Sequence, residues 1–260
     1  MAAKSATAAA GLPATGYWRQ SMQPLVSLAF VAPLLAGYEA GVVYLGPHAI
    51  RNAADVWLRS WLDLAGFSQY LLLPVLICAL LLAWHHASRQ PWRVEWRVVR
   101  VMWLEVSVLA VCLLLLAQAQ SRVCDSLGAA IPSMSLATHP ERTAARIVGY
   151  LGAGIYEEFF FRLVLLTSLG LLLQSVGLNR RGSLITAVVV TSLLFAAAHY
   201  RFEIELLDRT WAMPHGDAFT WSSFLFRFSA GSVFAALFTL RGFGIAVGTH
   251  ALYDLLIILL

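Results

Sequence analysis

Apolar residues run along this chain in blocks of about twenty, separated by short stretches that hold most of its charges. A helix crossing a hydrocarbon core of roughly 30 Å needs about 20 residues at a rise of 1.5 Å each. The pattern predicts spans at about 24–46, 69–88, 99–119, 145–175, 184–200, 222–240 and 243–260, the last two joined tightly through Arg241 and Gly242. The expected fold is therefore all-α, a polytopic transmembrane bundle of about seven spans (six to eight). Residues 1–23 read as an Ala-rich N-terminal tail. The apolar run 25–45 is too long for a cleaved signal segment and reads as a retained first helix.

One segment has a different rhythm. Over residues 50–64, Arg51, Asp55, Arg59 and Asp63 recur every fourth position and form a polar stripe with opposite charges one turn apart. Ile50, Trp57, Leu58, Trp61, Leu62 and Leu64 cover the rest. This is the pattern of an amphipathic helix lying in the membrane interface, its tryptophans at headgroup depth. The chain thus divides into the tail, N-terminal transmembrane helices over 24–140 with this interfacial helix, and a second half over 141–260.

Composition agrees with the pattern. Of 260 residues, 60% are hydrophobic and 12% charged, against about 25% charged in soluble domains, and the mean hydropathy is +0.73. A soluble core is excluded, and an integral, multi-pass protein in contact with lipid is expected. The net charge of +4 is carried almost wholly by arginines, Lys4 being the single lysine. No basic run is long enough for nucleic acid. Cys78 and Cys112 fall in apolar segments and Cys124 in a loop, without the CxxC spacing of a thiolate site. Cations divide almost evenly between the two sides, but those on the N-terminal side are nearly unopposed by acids. That leans toward a cytoplasmic N-terminus.

Ionisable groups within spans cost at least about 2.5–3.5 kcal/mol each and so point to function. Glu39 and Glu105 are isolated in sequence, and pairing with a neighbouring helix explains them as well as a role in a site does. Glu157 and Glu158 are adjacent, so they point about 100° apart on a helix and cannot share one job. Glu158 and Arg162 share a face and can form a buried ion pair, which leaves Glu157 free for chemistry. His199 ends the fifth span one turn after Phe195. In the last span His250 and Asp254 lie one turn apart, behind a close-packing pair, Gly244 and Gly248. Counted from the nearest loops, Glu157 and His250 both come to lie near the midplane, with His199 close to one side. A cavity opening to that side could hold all three.

At these residues the sequence resembles the CPBP family, the CAAX protease and bacteriocin-processing (Abi) family that includes type II CAAX prenyl endopeptidases. The motifs are Glu-Glu-x-x-x-Arg at 157–162, Phe-x-x-x-His at 195–199 and His-x-x-x-Asp at 250–254. The likeness covers roughly residues 140–260, and the first half agrees only in spanning the membrane. The resemblance implies Glu157 as the base that activates water and His199 as its helper. His250 and residue 254 would polarise the scissile carbonyl, and Glu158 with Arg162 would be the supporting pair. The family's third motif most often ends in Asn. Asp254 departs from it, and an ionised carboxylate cannot donate to an oxyanion. Asp254 is therefore expected to be protonated, to orient His250, or to bind a metal.

The expected activity is hydrolysis of a peptide bond in a membrane-associated, CAAX-type substrate. The alternative is a non-catalytic scaffold or bacteriocin-resistance protein with the same core. A transporter would show paired halves, and no such symmetry is visible. Zinc could be held by Glu157, His199 and His250, but no HExxH helix demands it, so a metal-free glutamate scheme is favoured. The expected location is a bacterial inner (cell) membrane. The family's action on cytosolic tails sits against the charge lean, which places the cavity mouth outside.

Overall fold

The computed structural model describes residues 14–126, 140–206, 209–213 and 216–259. The start of the tail with Lys4, the 127–139 stretch, and Asp208 lie outside the described residues.

The predicted all-α bundle is what forms. A short helix α1 (Ala14–Ser21) leads into α2 (Pro24–Leu45), then α3 (Ala53–Leu64), α4 (Leu72–Ala87) and α5 (Trp96–Ser126). The chain is then helical without interruption from Pro140 to Ser175, as α6 (Pro140–Gly152), two π-helical stretches (Ala153–Glu157 and Phe159–Leu166) and α7 (Thr167–Ser175). After α8 (Arg180–Ala197) come two paired strands, β1 (Phe202–Leu206) and β2 (Arg209–Met213), then α9 (Trp221–Arg241) and α10 (Phe243–Leu259). Each of the seven predicted spans has its helix. The antiparallel hairpin, with Phe202 opposite Met213, occupies a stretch expected to be plain loop.

Four helices are long and apolar enough to cross a membrane, Pro24–His48, Trp96–Val123, Arg180–Ala197 and Trp221–Arg241, with shorter apolar helices at Leu72–Ala87 and Phe243–Ile258. The outer faces are as apolar as the inner ones. On α5, Leu104, Val108, Val111 and Leu115 are exposed, whereas Met102, Val106, Ala110 and Leu113 are buried. Surface of that kind needs lipid as its solvent. The protein is an integral membrane protein.

Helix α10 is the axis of the bundle, packed against α2, α5, α6, α9 and the first π-helical stretch. Small residues allow this, as the Gly244/Gly248 pattern predicts. A Cβ at Gly248 would lie 2.6 Å from the Phe30 ring, and one at Gly244 3.1 Å from Cα of Ser27. The tight joint before α10 is Gly242 at φ +88°, whose N–H caps α9 by donating to Phe238 O at 3.1 Å.

Two acids left open by the sequence find partners at opposite ends of the bundle. Glu105 takes a bidentate pair from Arg241 at 2.6 and 2.7 Å, and Tyr17 also donates to it. The Arg241 guanidinium lies 3.8 Å from the centroid of the Trp18 ring, so α1 closes over this pair. Glu39 accepts from Tyr156 at 2.5 Å and from Arg59 at 3.1 Å.

The Arg59 contact reveals how α3 sits. Three charges of its polar stripe, Arg51, Asp55 and Arg59, face the bundle, while Asp63 is exposed. Asp55 is fully buried and accepts from Tyr38 at 2.7 Å, from Arg51 at 2.9 Å and from Arg59 at 2.6 Å. Burial opposes the Arg59 charge, but Asp55, Tyr156 and Glu39 together outweigh it and hold the guanidinium above its ordinary range. Trp61 and Leu64 are exposed. The amphipathic helix expected from the sequence is present, anchored inward by its charges.

Candidate active site

Three elements bring the singled-out residues together. The π-helical run carries Glu157, Glu158 and Arg162; the turn after α8 carries His199; α10 carries His250 and Asp254. Close approach begins at Gly154, where a Cβ would lie 2.6 Å from the backbone N of Ala251. That contact sets the Glu157 turn against His250 with no side chain between them. π-Helical turns are rare and recur at functional sites because the widened turn re-aims side chains. Here the widening falls on the segment that holds both glutamates.

Glu157 and Glu158 do point to different places. Glu157 Oε2 lies 3.7 Å from Nε2 of His199 and 3.9 Å from Nε2 of His250. It is buried, with no hydrogen-bond partner among the described residues. Its other oxygen, Oε1, accepts from Nδ2 of Asn52 at 2.7 Å. Glu158, fully buried, meets the other nitrogen of His250. Its Oε1 accepts from Nδ1 of His250 at 2.9 Å, and its Oε2 is 3.3 Å from Nε of Arg162. The expected Glu158–Arg162 contact is present, and Glu158 also holds a histidine, which the sequence did not foretell.

Each histidine is fixed by its second nitrogen. In His199, Nδ1 is 2.7 Å from the carbonyl of Phe195, a bond in which only the ring can donate. A neutral ring therefore presents an acceptor Nε2 toward Glu157. In His250, Nδ1 donates to Glu158, and Phe234 stacks on the ring at 4.3 Å and 11°. His250 Nε2 is also 3.6 Å from Oδ2 of Asp254. Phe195 lies under the whole arrangement. Its ring is 4.6 Å from the Arg162 guanidinium and 4.8 Å from the His199 ring. Arg162, with no exposed surface, donates to Gly231 O at 3.1 Å.

All six residues named from the sequence thus lie within one cluster, four of them buried and His199 and Asp254 partly exposed. Sequence reasoning missed Asn52, and with it the part of the first half that reaches the site. A weak signal was present, since Asn followed by Ala-Ala-Asp is a helix N-cap pattern.

Glu157 Oε2, His199 Nε2 and His250 Nε2 are the atoms a divalent metal would take. Their separations from Glu157 exceed by a few tenths of an ångström the roughly 3.3 Å edge of a tetrahedral zinc site. Among the described residues no group of three or more His, Cys, Asp or Glu is arranged to hold a metal ion. As placed, the acid and the two imidazole nitrogens converge on one another, and the arrangement can take a proton at one point and donate one at another.

Comparison with known proteins gives one result. Residues 140–256 match the family model described as type II CAAX prenyl endopeptidase Rce1-like. The resemblance read from three motifs is thus found independently over the stretch that contains them. No curated protein and no solved structure matches the chain.

Proposed function

We propose that this chain, Rce1-like over residues 140–256, is an intramembrane endopeptidase that hydrolyses a peptide bond near the end of a membrane-associated, CAAX-type substrate. The observation that carries this reading is the position of Glu157 Oε2, buried and faced by Nε2 of both His199 and His250.

In this reading water binds between Glu157 and His199. Glu157 takes its proton as the oxygen attacks the scissile carbonyl carbon, and the acceptor Nε2 of His199 holds the second hydrogen. The carbonyl π bond breaks to an oxyanion. His250 meets that charge with an Nε2–H, its Nδ1–H being committed to Glu158. With both nitrogens donating, the ring is an imidazolium, balanced by the Glu158 carboxylate. Glu158 in turn is held by Arg162. The carbonyl then re-forms, the C–N bond breaks, and Glu157 returns its proton to the departing amine. The products are a new carboxyl terminus and a free peptide. No step requires a metal. Burial strengthens each of these electrostatic contacts and excludes competing water.

The test is cleavage of a quenched, farnesylated CAAX peptide by purified protein in detergent or nanodiscs. Wild type is expected to cleave, and Glu157→Gln and His199→Ala to lose at least about a hundredfold in kcat. Activity surviving both substitutions removes the mechanism. A wild type that cleaves no such peptide removes the endopeptidase reading in favour of a scaffold. Activity abolished by a chelator and restored by zinc replaces the metal-free scheme.

A further inference from the structure

The N-terminal half of the chain, outside the matched region, contributes one side chain to the catalytic cluster. Asn52 precedes α3 and makes two hydrogen bonds with one amide group. Its Oδ1 accepts from the backbone N–H of Ala54 at 2.8 Å, capping the helix. Its Nδ2 donates to Glu157 Oε1 at 2.7 Å. The first bond fixes the second. With the amide oxygen turned to the helix N-terminus, the amide nitrogen has one direction left, toward Glu157. α3 is itself held by the buried Asp55, Arg59 and Glu39 contacts, so the amide is presented by a rigid support.

We infer that Asn52 is a positioning residue for Glu157: it engages Oε1, stops rotation of the carboxylate, and leaves Oε2 as the oxygen that faces His199 and His250. The inference rests on the reading of Glu157 as the base. Other charged or titratable groups near Glu157 are Glu158 and Arg162 on its own helix, His199 after α8, and His250 and Asp254 on α10. Asn52 is the neutral member of the set. It contributes direction without adding charge.

Capping and donation can be separated by substitution. Asn52→Asp and Asn52→Ser both keep an oxygen able to cap α3, and neither supplies an amide donor to Glu157. Because the cap is retained, Asn52→Ser is expected to lose only what the Glu157 contact contributes, a few degrees in Tm, and Asn52→Asp somewhat more. With the farnesylated peptide as probe, kcat should fall about 30- to 100-fold with KM changed less than about threefold, since the lost term acts on the reacting geometry. Asn52→Asp should be the worse of the two, its carboxylate facing another. Wild-type kcat in both variants overturns the proposal, as does a loss of kcat that only tracks a loss of stability. A second arm needs no turnover. The infrared carboxylate bands of Glu157, assigned by their disappearance in Glu157→Gln, are expected to shift in Asn52→Ser. Unshifted bands overturn the contact whether or not the wild type cleaves. A wild type that cleaves nothing, with shifted bands, strikes the endopeptidase reading and leaves the positioning contact standing.

Discussion

Glu158 accepts a hydrogen bond from Nδ1 of His250 at 2.9 Å, so one buried carboxylate ties the π-helical run to α10. Its second oxygen faces Arg162 at 3.3 Å, and neither Glu158 nor Arg162 has exposed surface. Glu157, its neighbour in sequence, makes no hydrogen bond to His250 or Arg162 and reaches His250 only at 3.9 Å. The two glutamates should therefore fail differently. Glu158→Gln leaves a buried guanidinium without its counter-charge, and such losses cost about 3–5 kcal/mol. Glu157→Gln keeps a carbonyl oxygen for Asn52 and should change stability by less than about 1 kcal/mol while abolishing turnover. Thermal unfolding in detergent beside a turnover assay distinguishes them. Equal destabilisation by both would refute the division of labour.

Phe195 makes a second, aromatic link between support and site. Its ring touches the Arg162 guanidinium on one side and His199 on the other. A desolvated cation–π contact is worth about 2 kcal/mol, and an aliphatic replacement cannot supply it. Phe195→Leu should lower stability by about that amount and reduce kcat as His199 loses its neighbour. A variant as stable as wild type would show that packing alone holds Arg162.

Gly154 sets the distance between the π-helical run and α10. A Cβ there would meet the Ala251 backbone at 2.6 Å, and backbone cannot move aside as a flexible side chain can. Gly154→Ala should push α10 away from the Glu157 turn, at a cost of about 1–3 kcal/mol. Activity should fall further than stability explains, since His250 directly precedes Ala251. Full activity in Gly154→Ala would mean that the Glu157–His250 spacing is not set here.

What the sequence shows of this protein follows from the range of its interactions. Spans were legible because each depends only on its own apolar length, and all seven predicted spans have helices. The Glu158–Arg162 and His250–Asp254 pairings were legible because residues four apart share a helix face. Partners distant along the chain were not. Glu105 meets Arg241 across 136 positions, and Asn52 meets Glu157 across 105. Nor does apolar periodicity distinguish a π-helical turn from an α-helical one, so the widened segment at Ala153–Leu166 carried no signal. The stripe on α3 was read correctly as a stripe. Its inward direction is decided by Glu39, Tyr38 and Tyr156, which lie on other helices.

Those inward charges should control α3 as a unit. Arg59 bridges Asp55 and Glu39, and its removal leaves Glu39 with the Tyr156 hydroxyl but no cation, and Asp55 with Tyr38 and Arg51. Arg59→Ala should destabilise the protein by about 3 kcal/mol and speed hydrogen exchange across Ala53–Leu64 ahead of the rest of the bundle. Turnover should fall as well, because α3 carries Asn52 to Glu157. Unchanged exchange over α3 would show that its apolar face alone keeps it docked.

Asp254 is where this chain departs from the commonest form of the motif it resembles, and its contact decides what to expect of it. Oδ2 lies 3.6 Å from Nε2 of His250, the same nitrogen that faces Glu157 at 3.9 Å. His250 is already oriented by Glu158 and by the Phe234 stack, so a carboxylate at 254 is not needed to aim the ring. An amide at this position could donate to the developing oxyanion, which an ionised acid cannot do. Asp254→Asn should therefore retain turnover within a few fold of wild type, or exceed it. Asp254→Leu, with neither donor nor acceptor, should lose about tenfold or more. A steep loss in Asp254→Asn, with stability intact, would show instead that the negative charge beside His250 is what the reaction uses.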